Sequence, residues 1–133
     1  MNVAKEIEKQ QEDIIGNMYK IVIDYKLDNW NDTIAYNRAN KYKGASRKKK
    51  EMEIIKLFLL NTPKITKYPI RLNCTWHVTN LGSDLDNKSL KSVLDAMQKY
   101  GILENDNIKH INYISHTAIK DKKDYLEIEI EGI

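Results

Sequence analysis

Apolar and polar residues alternate most regularly in residues 68–79, which read YPIRLNCTWHVT. Every second position there is apolar or cysteine: Ile70, Leu72, Cys74, Trp76 and Val78. Residues 18–27, MYKIVIDYKL, alternate in the same way. Because successive side chains of a strand point to opposite faces, both segments are predicted to be strands with one buried face. Cys74 and Trp76 are expected in the core, and His77 and His110 are expected to be ordinary surface histidines.

Two strand-like segments close the chain. In residues 125–133, three apolar residues alternate with glutamates, namely Leu126, Ile128 and Ile130. Residues 108–119 have a mixed pattern but also suit a strand. The alternation therefore predicts four strands in total.

Helical patterns fall between these strands. Ser46 is a suitable N-cap for a helix that runs to about Leu60, where Asn-Thr-Pro would end it. Its first turn would then hold Arg47 to Lys50, at the positive end of the helix dipole. Residues 87–100 carry apolar residues at helical spacing, and Gly101 supplies a stop. Residues 28–45 have no periodicity and are predicted to form a long loop.

The order of these elements predicts an α+β fold. A single domain of 133 residues would hold a mixed sheet with the helices packed on one side. A thin apolar pattern in residues 3–15 makes residues 1–17 a predicted helical extension of that domain.

The positive charge is concentrated in one segment, although the formal net charge is only +3. Residues 38–50 contain seven basic residues and no acid, namely Arg38, Lys41, Lys43, Arg47, Lys48, Lys49 and Lys50. Aromatic residues lie among and before them, namely Trp30, Tyr36 and Tyr42. Cations bind phosphates and aromatic rings stack on unpaired bases, so this block is a candidate DNA-binding surface. The alternative is a solvated loop.

Composition bears on membrane association and on the cellular location. The longest dense apolar run, Ile54–Leu60, is interrupted by Lys56 and is too short to span a bilayer, so no membrane partner is expected. The N-terminus lacks the apolar core of a secretory signal, and the single cysteine excludes an intrachain disulfide. A cytoplasmic location is therefore expected.

Three aspartates are candidate metal ligands. Asp84 and Asp86 follow the strand at 68–79, and in an extended backbone their side chains would lie on one side, about 7 Å apart. Asp106 would join them if Ile102 and Leu103 turn back toward the start of the helix. Carboxylate oxygens without cysteine or histidine suit Mg²⁺, with Mn²⁺ as a substitute. The alternative is helix capping by the first pair and an ordinary Asn-Asp-Asn turn at the third.

The segment that carries these acids, DLDNKSLKSVLDAMQKYGILENDN, resembles the signature of the RusA family of Holliday junction resolvases. The matching elements are Asp84-Leu85-Asp86-Asn87, Lys91, Asp95-Ala96, Gly101 and Asn105-Asp106. The motif covers about 24 residues, and the rest of the chain agrees with the family in the order of its elements.

Two positions depart from the family pattern. The lysine of the family stands four residues after the second aspartate, where this chain has Leu90. Lys91 keeps the four-residue step to Asp95 and is taken as the match, with Lys88 as the alternative. The late acidic pair is here Asn105-Asp106, so one carboxylate is replaced by an amide.

The resemblance implies a RusA-like fold and a homodimeric, Mg²⁺-dependent endodeoxyribonuclease that cuts four-way DNA junctions by paired, symmetric incisions in recombination and repair. Metal and catalysis would then fall to Asp84, Asp86 and Asp106, with Lys91 at the scissile phosphate. Supporting roles would fall to Asn87, Asp95 and Asn105. His116 lies near a position where the family carries a basic residue, which makes it a candidate phosphate contact.

Two other functions fit the same residues. One is a nuclease that prefers flaps or forks, and the other is a DNA-binding module without catalysis. The sequence leaves open the preferred branch structure, the cleavage dinucleotide and the number of metals at each site.

Overall fold

A computed structural model describes residues 18–132. In chain order its elements are β1 (Met18–Ile23), α1 (Trp30–Ala39), α2 (Lys41–Leu59), β2 (Ile70–Val78), a 3₁₀ turn (Leu85–Asn87), α3 (Lys91–Lys99), β3 (Ile111–Lys120) and β4 (Tyr125–Gly132). None of the helices in this range is both long and apolar enough to cross a membrane. The predicted N-terminal helix, residues 1–17, lies outside the described residues.

The four strands form one mixed sheet in the order β1-β4-β2-β3. β4 lies between β1 and β2 and is antiparallel to both, whereas β2 and β3 are parallel. The chain connects the two parallel strands through α3, as parallel pairing requires. The predicted α+β fold with a mixed sheet is confirmed.

One face of the sheet carries the core. Leu72, Ile128 and Ile130 are fully buried there against α2 and α3, which contribute Ile55 and Val93. Cys74 and Trp76 are buried in the same core, as predicted, and burial raises the pKa of the Cys74 thiol to about 12. The other face alternates with this one and is polar, with a row of three glutamates on β4, namely Glu127, Glu129 and Glu131.

The predicted loop at residues 28–45 is wrong, because most of it is helical. The Asn29 side chain accepts a hydrogen bond from the Asp32 amide at 2.8 Å, and the Asp32 carboxylate accepts one from the Asn29 amide at 3.1 Å. This capping box starts α1, in which no residue is buried. A helix without a buried stripe leaves no apolar periodicity in the sequence.

The predicted start of the next helix at Ser46 is also wrong. α2 begins at Lys41, and the Asn40 side chain accepts a hydrogen bond from the Tyr42 amide at 2.7 Å. Arg47 to Lys50 therefore lie in the second and third turns. The helix dipole acts on the first turn, so these cations do not oppose it.

The element bounds differ from the prediction elsewhere too. β1 ends at Ile23 instead of residue 27, because the Tyr25 amide turns back to the Ile23 carbonyl at 2.9 Å. α3 begins at Lys91 instead of residue 87, because Asn87 ends a 3₁₀ turn and Lys88 after it has an extended backbone. The stop at Gly101 is as predicted, since its φ of 79° suits glycine.

A buried carboxylate joins three of these segments. Glu51 on α2 is 5% exposed. Its Oε1 accepts a hydrogen bond from the Asp28 amide at 2.8 Å, and its Oε2 accepts one from the Ser92 hydroxyl at 3.3 Å. Burial raises the pKa of Glu51, with the nearby Asp28 charge adding to the rise. Glu51 thereby fixes the segment after β1 and the first turn of α3 against α2.

Two substitutions of Glu51 distinguish the effect of its hydrogen bonds on stability from the effect of its charge. Glu51→Ala should lower the free energy of unfolding by about 1–3 kcal/mol, because the Asp28 amide and the Ser92 hydroxyl lose their acceptor. Glu51→Gln keeps an acceptor without a buried charge. Since the raised pKa means that folding disfavours the ionised form, this variant should be at least as stable as the wild type at neutral pH. Urea unfolding measures both, and an alanine variant of wild-type stability would contradict this role.

Candidate functional site

A cleft of about 200 Å³ lies between α1, α2 and the start of α3. It brings part of the basic block and the lysine of the motif together. Its lining includes two aromatic residues, four basic residues and one buried acid: Trp30, Tyr36, Lys41, Arg47, Lys48, Lys91 and Glu51. The sequence separates these groups by more than forty residues, and the packing of α3 against α2 brings them together.

Two lysines share one carboxylate at this cleft. Lys48 on α2 donates a hydrogen bond to Asp95 on α3, and the Lys91 Nζ lies 3.6 Å from the same carboxylate. The predicted pairing of Lys91 with Asp95 is present. The side chain of Lys91 is still 56% exposed, so its ammonium group also faces solvent.

Aromatic rings and an acid hold the other cations of the block. Arg47 binds both oxygens of Asp28, at 3.0 and 3.3 Å, and its guanidinium carbon lies 5.3 Å from the centre of the Tyr36 ring. Lys43 lies 5.5 Å from the same ring, and Lys41 lies 5.3 Å from the Tyr42 ring. The remaining cations of the block are exposed on α1 and α2, namely Arg38, Lys49 and Lys50.

The first two acids lie beside this cleft. Asp84 precedes the 3₁₀ turn, Asp86 lies within it, and both are exposed. The Asn87 amide oxygen accepts a hydrogen bond from the Asn31 amide at 3.0 Å, so the turn is held against the first turn of α1. The separation of about 7 Å applies to an extended backbone. Here the Asn87 amide bonds to the Asp84 carbonyl at 3.2 Å and folds the segment into the 3₁₀ turn.

The third acid enters from the opposite end of the parallel pair. Ile70 pairs with Ile111 and Val78 pairs with Lys120, so β2 and β3 start together and end together. At ~3.3 Å per residue, β2 spans roughly 26 Å. Asp84 and Asp86 follow the end of β2, whereas Asp106 precedes the start of β3. Among residues 18–132, no group of three or more acids, histidines or cysteines could hold a metal ion.

The turn around Asp106 has its own hydrogen bonds. The Asn105 amide oxygen accepts from the Asn107 amide at 3.1 Å, and the Asn107 carbonyl accepts from the Ile111 amide at 2.9 Å. Ile102 and Leu103 are buried, and the Ile102 carbonyl accepts from the Ile65 amide at 2.8 Å. The chain therefore passes beside the segment before β2 and does not turn back toward Asp84.

A hydrogen bond from a tryptophan determines which ring nitrogen of His116, on β3, carries the proton. The Trp76 indole N–H donates to His116 Nδ1 at 2.9 Å. Because the indole nitrogen is only a donor, Nδ1 carries no proton and Nε2 does. Although His116 as a whole is exposed, its ring is partly desolvated beside Trp76, which lowers the pKa of His116 and favours the same neutral form. The Lys88 Nζ lies 5.9 Å from the centre of the Trp76 ring, so the alternative lysine of the motif lies on this side of the turn.

His77 is not an ordinary surface histidine, so that prediction is wrong. It is 7% exposed, and its ring stacks on Tyr125 with the centres 3.8 Å apart. Nδ1 contacts the Asp121 carboxylate at 2.9 Å, and Nε2 contacts the Glu127 carboxylate at 3.0 Å. The acids lie far along the chain, so only the strand register could have indicated the cluster. His110 is half-buried beside Tyr68.

No model of a known protein family matches the chain, and no curated protein matches it significantly.

The His116 environment predicts a pH dependence of stability. Since folding lowers the pKa of His116 below its usual 6.5, its contribution is complete above that pH and is lost as the pH falls through the folded-state value. His116→Asn keeps an acceptor for Trp76 but does not titrate. Between about pH 7.5 and about pH 5, the free energy of unfolding should therefore fall more for the wild type than for the variant. Equal losses in urea unfolding would contradict this.

Proposed function

We propose that the protein is a Mg²⁺-dependent endodeoxyribonuclease that acts on four-way DNA junctions as a homodimer. The observation that carries the proposal is the cleft in which Arg47 and Lys48 meet Lys91, beside the turn that bears Asp84 and Asp86. A cationic cleft and a pair of acids are thus neighbours. The segment that carries Asp84, Asp86 and Lys91 also resembles the RusA signature.

The cleft and the exposed cations of α1 and α2 are proposed to bind the DNA backbone. Arg47 and Lys43 lie against Tyr36, which limits the motion of both side chains before DNA arrives. Trp30 and Tyr42 are large, exposed rings at the same surface, 43% and 74% accessible. Exposed rings of this kind stack on unpaired bases, which the centre of a junction offers.

The metal is proposed to bind the exposed carboxylates of Asp84 and Asp86. These oxygen donors suit Mg²⁺, with Mn²⁺ as a substitute. The RusA motif also includes a third acid, so Asp84 and Asp86 alone give an incomplete set of metal ligands. Asp106 approaches the sheet from its other end. We therefore infer that the partner subunit's Asp106 completes each site, so that a homodimer has two equivalent sites.

Bound Mg²⁺ would activate water and neutralise charge on the phosphate under attack. Lys91 is proposed to hold that phosphate. Asp95 positions Lys91 and Lys48 toward the cleft, and Asn87 fixes the acidic turn to α1. Asn105 shapes the turn that presents Asp106. A nuclease for flaps or forks would use the same groups and differ only in the branch it accepts.

A non-catalytic DNA-binding module is the second candidate. It is favoured by one observation, namely that no three-acid cluster is present among residues 18–132 of a single chain. Such a module would bind branched DNA equally well with and without Mg²⁺, and it would cut none.

Cleavage decides between these functions. The wild type is incubated with a four-way junction, a flap and a linear duplex, with Mg²⁺ or with a chelator. We expect paired cuts in the junction with Mg²⁺ only. Asp86→Asn should abolish cutting but keep junction binding, because it removes a ligand charge and no phosphate contact. If the wild type binds the junction but cuts no substrate, the result contradicts the nuclease and supports the non-catalytic DNA-binding module.

Mixed dimers test the sharing of Asp106. Asp86→Asn and Asp106→Asn homodimers should both be inactive. A heterodimer of the two, isolated with different tags, has one site with both substitutions and one intact site if Asp106 comes from the partner. It should then nick a single strand of the junction. If each site lay within one chain, both sites would be damaged, and the heterodimer would remain inactive.

The basic block predicts the salt dependence of DNA binding. Replacing Lys48, Lys49 and Lys50 with glutamine should make the slope of log K against log salt shallower by ~0.9 for each lost phosphate contact. A control with the same charge change replaces Lys64, Lys67 and Lys99, which are exposed away from the cleft. Its slope should stay unchanged. Cleavage by the first variant should persist at saturating protein. If that variant keeps the wild-type slope, the basic block does not contact phosphates and is a solvated surface.

A further inference from the structure

Among residues 18–132, no strand pairs with the outer edge of β3. The strand is ten residues long, and every residue except Ile111 and Ser115 is exposed. Three large apolar side chains on it, Tyr113, Ile114 and Ile119, are 42–43% accessible. The strand INYISHTAIK contains no acid and no proline, and only its last residue carries a formal charge. Protein edges that stay unpaired are usually short, charged or interrupted. The register of β3 shifts once, at Asn112, and the eight residues from Tyr113 to Lys120 then pair with β2 without interruption.

The backbone of β3 offers hydrogen bonds to a further strand. The Asp121 amide donates to the Val78 carbonyl of β2 at 2.8 Å. Because alternate residues of a strand direct their amides to opposite sides, the odd-numbered residues after the register shift face β2, from Tyr113 to Ile119. Ile114, His116 and Ala118 therefore present their N–H and C=O groups to the open edge.

We propose that β3 pairs antiparallel with β3 of a second copy of this chain, about a two-fold axis at His116. In this register Ile114 faces the partner's Ala118, and Tyr113 faces the partner's Ile119. Apolar residues oppose apolar ones, and no like charges meet. The residues with free edge groups face one another, so each pair exchanges hydrogen bonds, and the two sheets become one of eight strands. A self-complementary surface of this kind gives a closed dimer.

This inference rests on the proposed function. It identifies β3 as the surface through which the proposed homodimer forms. Antiparallel pairing places the start of one β3 beside the end of the other. Asp106 precedes that start, and the partner's Asp84 and Asp86 follow the end of the strand next to it. The same pairing therefore accounts for a site divided between the two ends of the sheet.

A proline substitution tests the backbone pairing. Ala118→Pro removes an N–H that faces the open edge and makes no bond to β2, and edge strands tolerate proline at such positions. Sedimentation equilibrium at micromolar concentration should give a dimer for the wild type and a monomer for this variant, with unchanged circular dichroism. Ala118→Thr keeps the N–H and should remain dimeric.

A cysteine pair tests the register. His116→Cys places two thiols opposite each other across the axis, at the Cα separation of ~5.5 Å that suits a disulfide. Oxidation should convert it to a covalent dimer. Asn112→Cys is the control, because its two copies would lie roughly 27 Å apart along the strands. The native Cys74 is buried and should not react.

The outcomes separate the interface from the proposed function. A dimeric Ala118→Pro variant together with a His116→Cys variant that does not cross-link would overturn the β3 interface, while a dimeric nuclease would still stand. A monomeric wild type that cuts junctions would overturn the interface and the shared site. If Ala118→Pro fails to fold, the two cysteine variants decide the question.

Discussion

The parallel pairing of β2 with β3 is the constraint on which the rest of the arrangement depends. A parallel pair needs a crossover, and α3 provides it over the apolar face of the sheet. The crossover returns the chain to the start of β2, so residues that follow β2 and residues that precede β3 lie at opposite ends. Asp84 and Asp86 belong to the first group, and Asp106 belongs to the second. The same topology leaves β3 at the edge of the described sheet, because the next strand, β4, pairs with β1 and β2 instead. The divided acids and the open edge thus have one structural cause.

The second determinant is the position of α2, which carries the basic block. Its inner face is anchored by Ile55 and Leu59 in the core, and Glu51 is buried between the segment after β1 and α3. With these contacts made, Arg47 and Lys48 can only lie over the start of α3. Buried residues a turn or more away therefore place this part of α2 at the cleft, and the contacts with Asp95 and Tyr36 then orient the charged side chains. A buried carboxylate costs free energy, and the two hydrogen bonds that order the cleft wall offset only part of that cost, since the pKa of Glu51 stays raised.

The sequence predicts those parts of the fold that bury a face. β2, β4 and α3 are apparent because burial imposes periods of two and of three to four residues on the choice of side chain. α1 buries nothing, so no period marks it, and its only signals are the Asn29 and Asp32 caps. The same limit applies to the site. The local pair Asp84 and Asp86 is evident in the sequence, whereas the contact of Lys48 with Asp95 and the two acids around His77 depend on tertiary packing and strand register.

The contact of Lys48 and Lys91 with Asp95 also bears on how the cleft would attract phosphate in the proposed nuclease. Two ammonium groups share one carboxylate, so a net positive charge remains after the pairing. All three side chains are partly exposed, and ion pairs at such positions contribute little stability on their own. The carboxylate therefore orders the lysines without neutralising them, and a phosphate oxygen could replace it at small cost. Because Asp84 and Asp86 repel phosphate when no metal is bound, this residual charge is what would bring a DNA strand close to them. In the proposed nuclease, binding would thus rest on the lysines and arginines, and cutting would require the metal as well.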